Sequence, residues 1–145
     1  MMGVADLQRL VGTAFPGGSF TIEAREHERF LRAVGAPPRP DGSAHPLYAL
    51  VATQRGMGYS VDDFLAACGA KADDGPLLTR FKLVLDDVLR VGSTYTVTGG
   101  ITDTCRKVGR HVGPFDLVTF ELSLVSGTAV VARTMSSWAL PRPET

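Results

Sequence analysis

The stretch FDLVTFELSLVSGTAVVARTMSSWAL, residues 115–140, decides the fold. Apolar side chains at every second position from Val118 to Leu124 share one face, which is typical of a β-strand with one buried side. The turn at Ser126 and Gly127 then reverses the chain, and a second run rich in Val and Thr follows. The stretch therefore predicts a long antiparallel hairpin.

Three segments before this hairpin also have the composition of strands. Residues 19–24 form a short one, residues 78–85 alternate, and residues 94–108 are dense in Thr, Val and Ile. Gly99 and Gly100, inside the third segment, predict a bulge or a bend. Together with the hairpin, the third segment indicates a meander of long antiparallel strands.

Helical patterns occupy the first half of the chain. Residues 5–15 predict a short N-terminal helix, and residues 23–35 predict a second helix. The apolar face of the second helix is expected to consist of Phe30, Leu31 and Val34. A proline-rich loop then separates this helix from the next helical segment.

The third helical segment, residues 47–69, is the candidate for the centre of the fold. Gly56 and Gly58 interrupt it, and Ser60 predicts the N-terminal cap of its second part. A sheet must bury one of its faces against another layer. We therefore predict an α+β fold in which a curved antiparallel sheet wraps around this helix.

The composition indicates one domain, residues 1–145, with an N-terminal extension at 1–18 and a frayed tail at 141–145. Fifteen basic side chains balance fifteen acidic ones, so no charge excess points to nucleic acid or to an anionic membrane. No apolar run is long enough for a signal peptide or a membrane-spanning helix. The three histidines are too dispersed to predict a metal site. Cys68 and Cys105 are expected to be buried free thiols, which favours a cytoplasmic protein.

The segments LRVGSTYTVTGGITDTCRKVG (89–109) and VTFELSLVSGTAVVARTMSSWAL (118–140) carry a resemblance to a known family. Their pattern of strands and turns resembles the MaoC-like hotdog family, which includes (R)-specific enoyl-CoA hydratases and 3-hydroxyacyl-thioester dehydratases. The resemblance covers residues 19–141. It implies a hotdog fold, and a homodimer or a heterodimer with another hotdog subunit. It also implies an acyl thioester of coenzyme A or of acyl carrier protein as substrate, so that coenzyme A or phosphopantetheine enters with the substrate and no separate cofactor is expected.

The loop PDGSAHPLY, residues 40–48, holds the candidate catalytic residues. Catalytic members of the family carry an Asp and a His in a GDxNPxH loop before the central helix. Asp41 and His45 resemble this pair, but they lie one residue closer together and the Asn-Pro is missing. The resemblance implies that His45 moves the proton and that Asp41 activates or orients water. It also implies that backbone N–H groups at the start of the central helix polarise the thioester carbonyl.

The alternative interpretation of this loop is a solvated turn aspartate beside a packed histidine. Tyr48 follows His45 by three positions and is a candidate for substrate binding or, alternatively, a core aromatic residue. Arg55 is either a helix end or a ligand clamp. His27 lies in the charged segment REHERF and is expected to be exposed and without a role.

A basic cluster, CRKVGRH at 105–111, lies at the end of the third β segment. Arg106, Lys107 and Arg110 are candidates for binding the phosphates of coenzyme A or of a phosphopantetheine arm. The alternative is a solvated end of a hairpin.

Three functions are compatible with these residues. The chain is a hydratase or dehydratase that uses Asp41 and His45, or a non-catalytic subunit that binds the acyl tail while another hotdog subunit carries the catalytic pair. The third function is a hotdog thioesterase, whose carboxylate on the central helix could only be Asp62 or Asp63. Both of these residues also fit as first-turn partners of the helix dipole.

Overall fold

The computed structural model describes residues 1–143. Four α-helices, five β-strands and a short 3₁₀ turn at Ala72–Asp74 occur in this range. In chain order the helices and strands are α1 (Val4–Arg9), β1 (Gly18–Thr21), α2 (Ala24–Val34), α3 (Tyr48–Gly56), α4 (Val61–Ala67), β2 (Leu77–Leu85), β3 (Thr94–Gly109), β4 (Gly113–Ser126) and β5 (Ala129–Pro141). The helix-rich first half and the strand-rich second half predicted from the sequence are confirmed.

The five strands form one antiparallel sheet in the order β1-β3-β4-β5-β2. β3, β4 and β5 are neighbours in sequence and in space, so they form the predicted meander. On β4, the alternating side chains from Val118 to Leu124 are each at most 1% exposed. Full burial of a large apolar side chain contributes roughly 1.5–3 kcal/mol, so this face anchors the core.

The helix α3 lies against the inner face of the sheet. Ala49 and Ala52 are completely buried, and Gly56 is buried at its last turn. A Cβ atom on Gly56 would lie 2.4 Å from Cγ2 of Val97 on β3, so only glycine permits this approach. The predicted break follows α3, and α4 continues after it. The α+β fold with a sheet wrapped around a central helix is confirmed.

The buried face of α2 differs from the prediction. His27 and Leu31 are buried, whereas Val34 is half exposed. Because residues four positions apart share a helix face, the packed stripe begins at His27 and ends before Val34. The prediction of an exposed His27 was therefore wrong: the charged residues beside it in sequence lie on other faces of the helix.

The N-terminal extension predicted for residues 1–18 packs against the sheet. Leu7 of α1 is 1% exposed. The N–H of Ile101 on β3 donates a hydrogen bond to the carbonyl of Thr13 at 2.9 Å. A Cβ atom on Gly100 would lie 2.2 Å from that carbonyl oxygen, which explains the glycine predicted to mark an irregularity. A register shift in the β3–β4 ladder follows directly after it.

A buried carboxylate joins three parts of the chain. Asp116 on β4 is completely buried. It accepts two hydrogen bonds from Arg106, at 2.7 and 2.9 Å, and one from Arg142, at 2.7 Å. Arg142 also donates to the carbonyl oxygens of Cys68 and Gly69, which follow α4. The ion pairs therefore connect β3, β4, the end of α4 and the residue after β5.

This connection bears on two predictions from the sequence. The guanidinium of Arg106, expected to bind a phosphate, is engaged by Asp116 and by the carbonyl oxygen of Met2. The frayed tail expected from residue 141 begins later, because Pro141 belongs to β5 and Arg142 is 3% exposed. The last two residues of the predicted tail lie outside the described range.

The two cysteines differ in burial. Both thiols are free, but only Cys68 is buried; Cys105 is exposed because it lies opposite Leu117 on the outer face of the sheet. Burial raises the pKa of the Cys68 thiol to about 11.

No helix among residues 1–143 is long and apolar enough to cross a membrane. Within the same residues, no three His, Cys, Asp or Glu side chains are grouped as metal ligands.

The exchange Asp116→Asn should destabilise the protein by about 3–5 kcal/mol, because it leaves the buried guanidinium of Arg142 and the partly buried one of Arg106 without a countercharge. The free energy of unfolding in urea measures this effect. Asp103→Asn, an exposed carboxylate on the same sheet, is the matched control and should change it little. Equal effects of the two exchanges would contradict the role of Asp116.

The contribution of Asp116 should also depend on pH. Burial opposes its ionisation, but Arg106 and Arg142 outweigh this and hold the pKa of Asp116 below its usual value of 3.8. The stabilisation is therefore complete above pH 3.8 and is lost as the pH falls through the lowered pKa. Acid titration of the unfolding free energy should show this loss in the wild type and not in Asp116→Asn.

Candidate functional site

The loop that joins α2 to α3 carries the candidate catalytic pair. Its prolines lack backbone donors, so few internal hydrogen bonds can hold it. Its two ends are anchored instead: the N–H of Ala36 donates to the carbonyl of Leu31 at 2.9 Å, and the N–H of Ala44 donates to the carbonyl of Leu89 at 2.7 Å. The second bond attaches the loop to the connection between β2 and β3.

Asp41 is exposed and is engaged by Ser43. Its Oδ1 accepts the N–H of Ser43 at 3.0 Å and the Ser43 hydroxyl at 2.6 Å. The Ser43 hydroxyl oxygen in turn accepts Nε–H of Arg39 at 2.9 Å. The hydrogen bonds from Ser43 hold the pKa of Asp41 below its usual value. Asp41 is thus an ionised carboxylate in a local turn.

His45 is half buried, and the backbone orients its ring. Its Nδ1 accepts the N–H of Leu47 at 3.1 Å, and its ring packs edge-on against Phe30 with centroids 5.6 Å apart. A neutral imidazole that accepts a hydrogen bond at Nδ1 carries its proton on Nε2. Within residues 1–143 the Nε2 of His45 has no hydrogen-bond partner, so Nε2–H is free to donate.

The sequence analysis missed the role of His27. Its Nε2 accepts the backbone N–H of His45 at 3.0 Å, so α2 holds the residue that carries the candidate imidazole. Burial lowers the pKa of His27, and the nearby charges of His45 and Arg39 act in the same direction. One feature of the sequence indicates that His27 is buried: it lies four residues before the apolar Leu31, on the same helix face.

The structure brings Asp41 and His45 to one surface pocket of about 430 Å³, which is lined mainly by the prolines of the loop. No hydrogen bond joins their side chains among the described residues. A general base needs an unprotonated nitrogen toward the water that it activates, whereas His45 presents Nε2–H. The pair shares a pocket without forming a relay, and its geometry suits hydrogen-bond donation by His45.

The backbone donors expected at the start of α3 already have acceptors. The N–H groups of Tyr48, Ala49 and Leu50 donate to carbonyl groups three residues earlier, at 2.9 to 3.1 Å. This tight first turn closes back on the loop, so these amides are not free to polarise a thioester carbonyl. The prediction of a backbone oxyanion site at this position was wrong.

Tyr48 and Arg55 line one groove between α2 and α3, with a volume of about 310 Å³. Tyr48 is 2% exposed, and its ring lies edge-on to those of His27 and Phe30, with centroids 5.3 and 5.2 Å apart. Burial raises the pKa of the Tyr48 hydroxyl. Arg55 is exposed, and its Nη1 lies 2.9 Å from Oε2 of Glu26. The groove therefore has an aromatic floor and a charged rim.

The basic cluster lies apart from this region. Arg106 faces Asp116, while Lys107 and Arg110 are exposed where β3 turns into β4. None of the three lines the groove or the loop pocket. Phosphate binding by Arg106, Lys107 and Arg110 stays a prediction, and the guanidinium of Arg106 is already paired with Asp116.

The carboxylates considered for a thioesterase lie at the start of α4. Ser60 and Asp63 form a capping box, in which the N–H of Asp63 donates to the Ser60 hydroxyl at 3.0 Å and the N–H of Ser60 donates to Asp63 Oδ2 at 3.1 Å. These bonds lower the pKa of Asp63. Asp62 is exposed in the same turn. The geometry of Asp63 is that of a helix cap.

The exchange Ser43→Ala should raise the pKa of Asp41 toward its usual value, because it removes the hydroxyl that donates to the carboxylate. The ¹³C chemical shift of the Asp41 carboxyl group, followed against pH, measures this change. Ser126→Ala, in the turn between β4 and β5, is the control and should leave the titration of Asp41 unchanged. An unchanged titration midpoint of Asp41 in Ser43→Ala would contradict the hydrogen bond from the Ser43 hydroxyl to this carboxylate.

No family model and no curated protein matches the sequence. The structure is similar to the ChsH1–ChsH2 complex from Mycobacterium tuberculosis, with a TM-score of 0.70 and 16% identity over 99% of this chain and 95% of that chain. It is similar to the C-terminally truncated HadBC (3R-hydroxyacyl-ACP dehydratase) complex from the same organism, with a TM-score of 0.69 and 13% identity over 90% and 96% of the two chains. A MaoC-like dehydratase from Phytophthora capsici matches with a TM-score of 0.66 and 15% identity, over 99% of this chain and 52% of that chain.

Each of these matches extends over at least 90% of this chain, so it includes the sheet and the helix that the sheet surrounds. At 13 to 16% identity they concern the fold. The resemblance predicted from the sequence is confirmed at this level: the chain has the α+β hotdog fold that is also found in MaoC-like dehydratases.

Proposed function

We propose that the chain is a hotdog subunit that binds an enoyl or 3-hydroxyacyl thioester, while a partner hotdog subunit supplies the acid–base residues. One observation carries the proposal: the two candidate catalytic side chains are engaged locally. Ser43 holds the carboxylate of Asp41, and the N–H of Leu47 caps Nδ1 of His45. Hydration requires a group that takes a proton from water. His45 presents Nε2–H, and the hydrogen bonds from Ser43 lower the pKa of Asp41, which makes its carboxylate a weaker base.

The groove between α2 and α3 is the proposed binding element for the acyl thioester. Phe30, Tyr48 and Val51 provide apolar surface, and Arg29 and Arg55 lie on the rim. Ligand sites generally combine an apolar lining with a few polar groups that fix orientation. The two guanidinium groups suit the phosphates of coenzyme A or of a phosphopantetheine arm on a carrier protein.

The partner subunit is proposed to pair with the open edge of β2. Among residues 1–143 this strand is at the edge of the sheet and pairs only with β5. Leu77, Leu78 and Val84 on it are exposed. An open edge strand with apolar side chains is a template for pairing with another chain. The similar ChsH1–ChsH2 and HadBC structures are complexes, which supports a hotdog partner. We propose that the catalytic subunit pairs at this edge, and that a second copy of this chain takes its place when the chain is purified alone.

A self-sufficient hydratase or dehydratase is the second candidate. The observation that favours it is the pocket that Asp41 and His45 share. Catalysis with His45 as the base would require it to release the N–H of Leu47 when substrate binds. The proposed binding subunit needs no such rearrangement.

A thioesterase is the third candidate, and no contact favours it. Asp63 is used by the helix cap, and Asp62 lies exposed beside it.

The proposal also keeps the predicted cytoplasmic location, since Cys68 and Cys105 are both free thiols and a reducing compartment preserves such thiols.

The isolated chain should bind acyl-CoA without hydrating enoyl-CoA. Loss of the conjugated thioester absorbance measures hydration of crotonyl-CoA and longer enoyl-CoAs, and we expect none. Calorimetry with butanoyl-CoA measures binding. Arg55→Ala should weaken binding roughly tenfold, the effect of losing one charge-assisted hydrogen bond. Arg9→Ala, which breaks another exposed ion pair on α1, is the matched control.

Turnover by the isolated chain would contradict the proposal. If His45→Ala and Asp41→Ala then abolished that turnover while the protein stayed folded, the self-sufficient lyase would be established. Turnover that survived both exchanges would place the acid–base residues elsewhere in the chain.

The exchange Val84→Lys should weaken association through the β2 edge, because it puts a charge into the proposed strand pairing. Sedimentation velocity over a range of concentrations measures self-association of the purified chain, and we expect a dimer in the wild type. Val108→Lys, at an exposed position near the β3–β4 turn, is the control and should leave the dimer intact. Equal self-association of Val84→Lys and Val108→Lys would show that the interface lies elsewhere.

A further inference from the structure

His27 is a buried titratable residue that the proposed function leaves without a role. It is 4% exposed, and its only hydrogen bond among the described residues is the one that Nε2 accepts from the backbone N–H of His45. A ring nitrogen that accepts a hydrogen bond is unprotonated, so His27 is neutral and carries its proton on Nδ1. The contact joins α2 to the loop immediately before α3.

The surroundings of His27 favour this neutral form. Burial lowers the pKa of His27, and the charges of His45 and Arg39 act in the same direction, whereas Glu28 opposes them. Tyr48 also packs against the ring, and burial raises the pKa of its hydroxyl, so it carries no charge near neutral pH. The hydrogen bond is therefore present at neutral pH and is lost as the pH falls through a value below 6.5.

Three contacts fix the orientation of His45. His27 holds its backbone, the N–H of Leu47 holds Nδ1, and Phe30 packs edge-on against the ring. The group left over is Nε2–H. His45 adjoins the proposed groove, because Phe30 both lines that groove and packs against the His45 ring. Since the backbone amides in the first turn of α3 already have acceptors, this N–H is the donor that the start of the central helix offers to a ligand.

We infer that His27 is a positioning residue that holds His45 as a hydrogen-bond donor to the carbonyl oxygen of a bound acyl thioester. The identity of the acceptor rests on the proposed function, whereas the two tautomers and the contact between the histidines do not. His45 then contributes to binding and orientation of the thioester and transfers no proton. Binding weakens when His27 is protonated, because the acceptor for the His45 backbone is lost.

The tautomers provide the first test, which needs no ligand. Long-range ¹H–¹⁵N correlation spectra of the imidazole nitrogens should show protonated Nδ1 in His27 and protonated Nε2 in His45 near neutral pH. A titration from about pH 8 to about pH 5 should give His27 a midpoint below that of an unperturbed histidine. Protonated Nδ1 in His45, or a midpoint of His27 at or above the unperturbed value, would overturn the inference.

Two variants provide the second test. His27→Gln keeps a side-chain oxygen that can accept the N–H of His45 but cannot titrate, while His27→Leu removes the acceptor. His27→Leu should weaken butanoyl-CoA binding about fivefold, the effect of one neutral hydrogen bond. His27→Gln should bind as the wild type does near neutral pH, and it should not lose affinity as the pH is lowered. His111→Gln, an exposed histidine beyond β3, is the control and should change neither the affinity nor its pH dependence.

The outcomes separate this inference from the proposed function. Equal affinities of folded His27→Gln and His27→Leu, with thermal unfolding confirming the fold of both, would overturn the positioning role. If the wild type failed to bind butanoyl-CoA, the proposed function would fail, and the imidazole spectra would still decide whether His27 holds His45 in the donor tautomer.

Discussion

The close packing of α3 on the inner face of the sheet is the constraint on which the other features of the structure depend. Ala49, Ala52 and Gly56 present almost no side chain to the sheet, so the helix backbone can approach β3. The helix begins at Tyr48, whose buried ring packs against Phe30 of α2. The start of α3 therefore meets α2 and the proline-rich loop, and the candidate residues lie at this junction.

Two buried polar groups are accommodated in opposite ways. Asp116 remains charged, because two guanidinium groups and their further carbonyl partners outweigh its loss of water. His27 stays neutral, because its partner is a backbone N–H and nearby positive charge disfavours protonation. The ion pairs of Asp116 stabilise the ends of the long strands. The hydrogen bond to His27 stabilises the loop that leads into the central helix.

The loop itself illustrates how hydrogen bonds decide the chemistry of a familiar pair of residues. Asp41 and His45 share a pocket, yet each already has a partner in the adjacent backbone or side chain. A carboxylate held by a serine and an imidazole capped at Nδ1 form a polar surface with a directed donor. This favours a binding role beside a catalytic partner, and the open edge of β2 offers a place for that partner.

The sequence alone determined the type and order of the strands and helices, because alternation and helical periodicity are local properties of the chain. It therefore predicted the meander of β3 to β5, the break after α3 and the cap at Ser60. Only the tertiary structure decided which polar groups meet. The partners of Asp116 lie 10 and 26 residues away, and His27 lies 18 residues from His45. Local sequence patterns do not specify such contacts, because they depend on which surfaces the fold brings together. This is why the burial of His27 and the ion pair of Arg106 were not predicted.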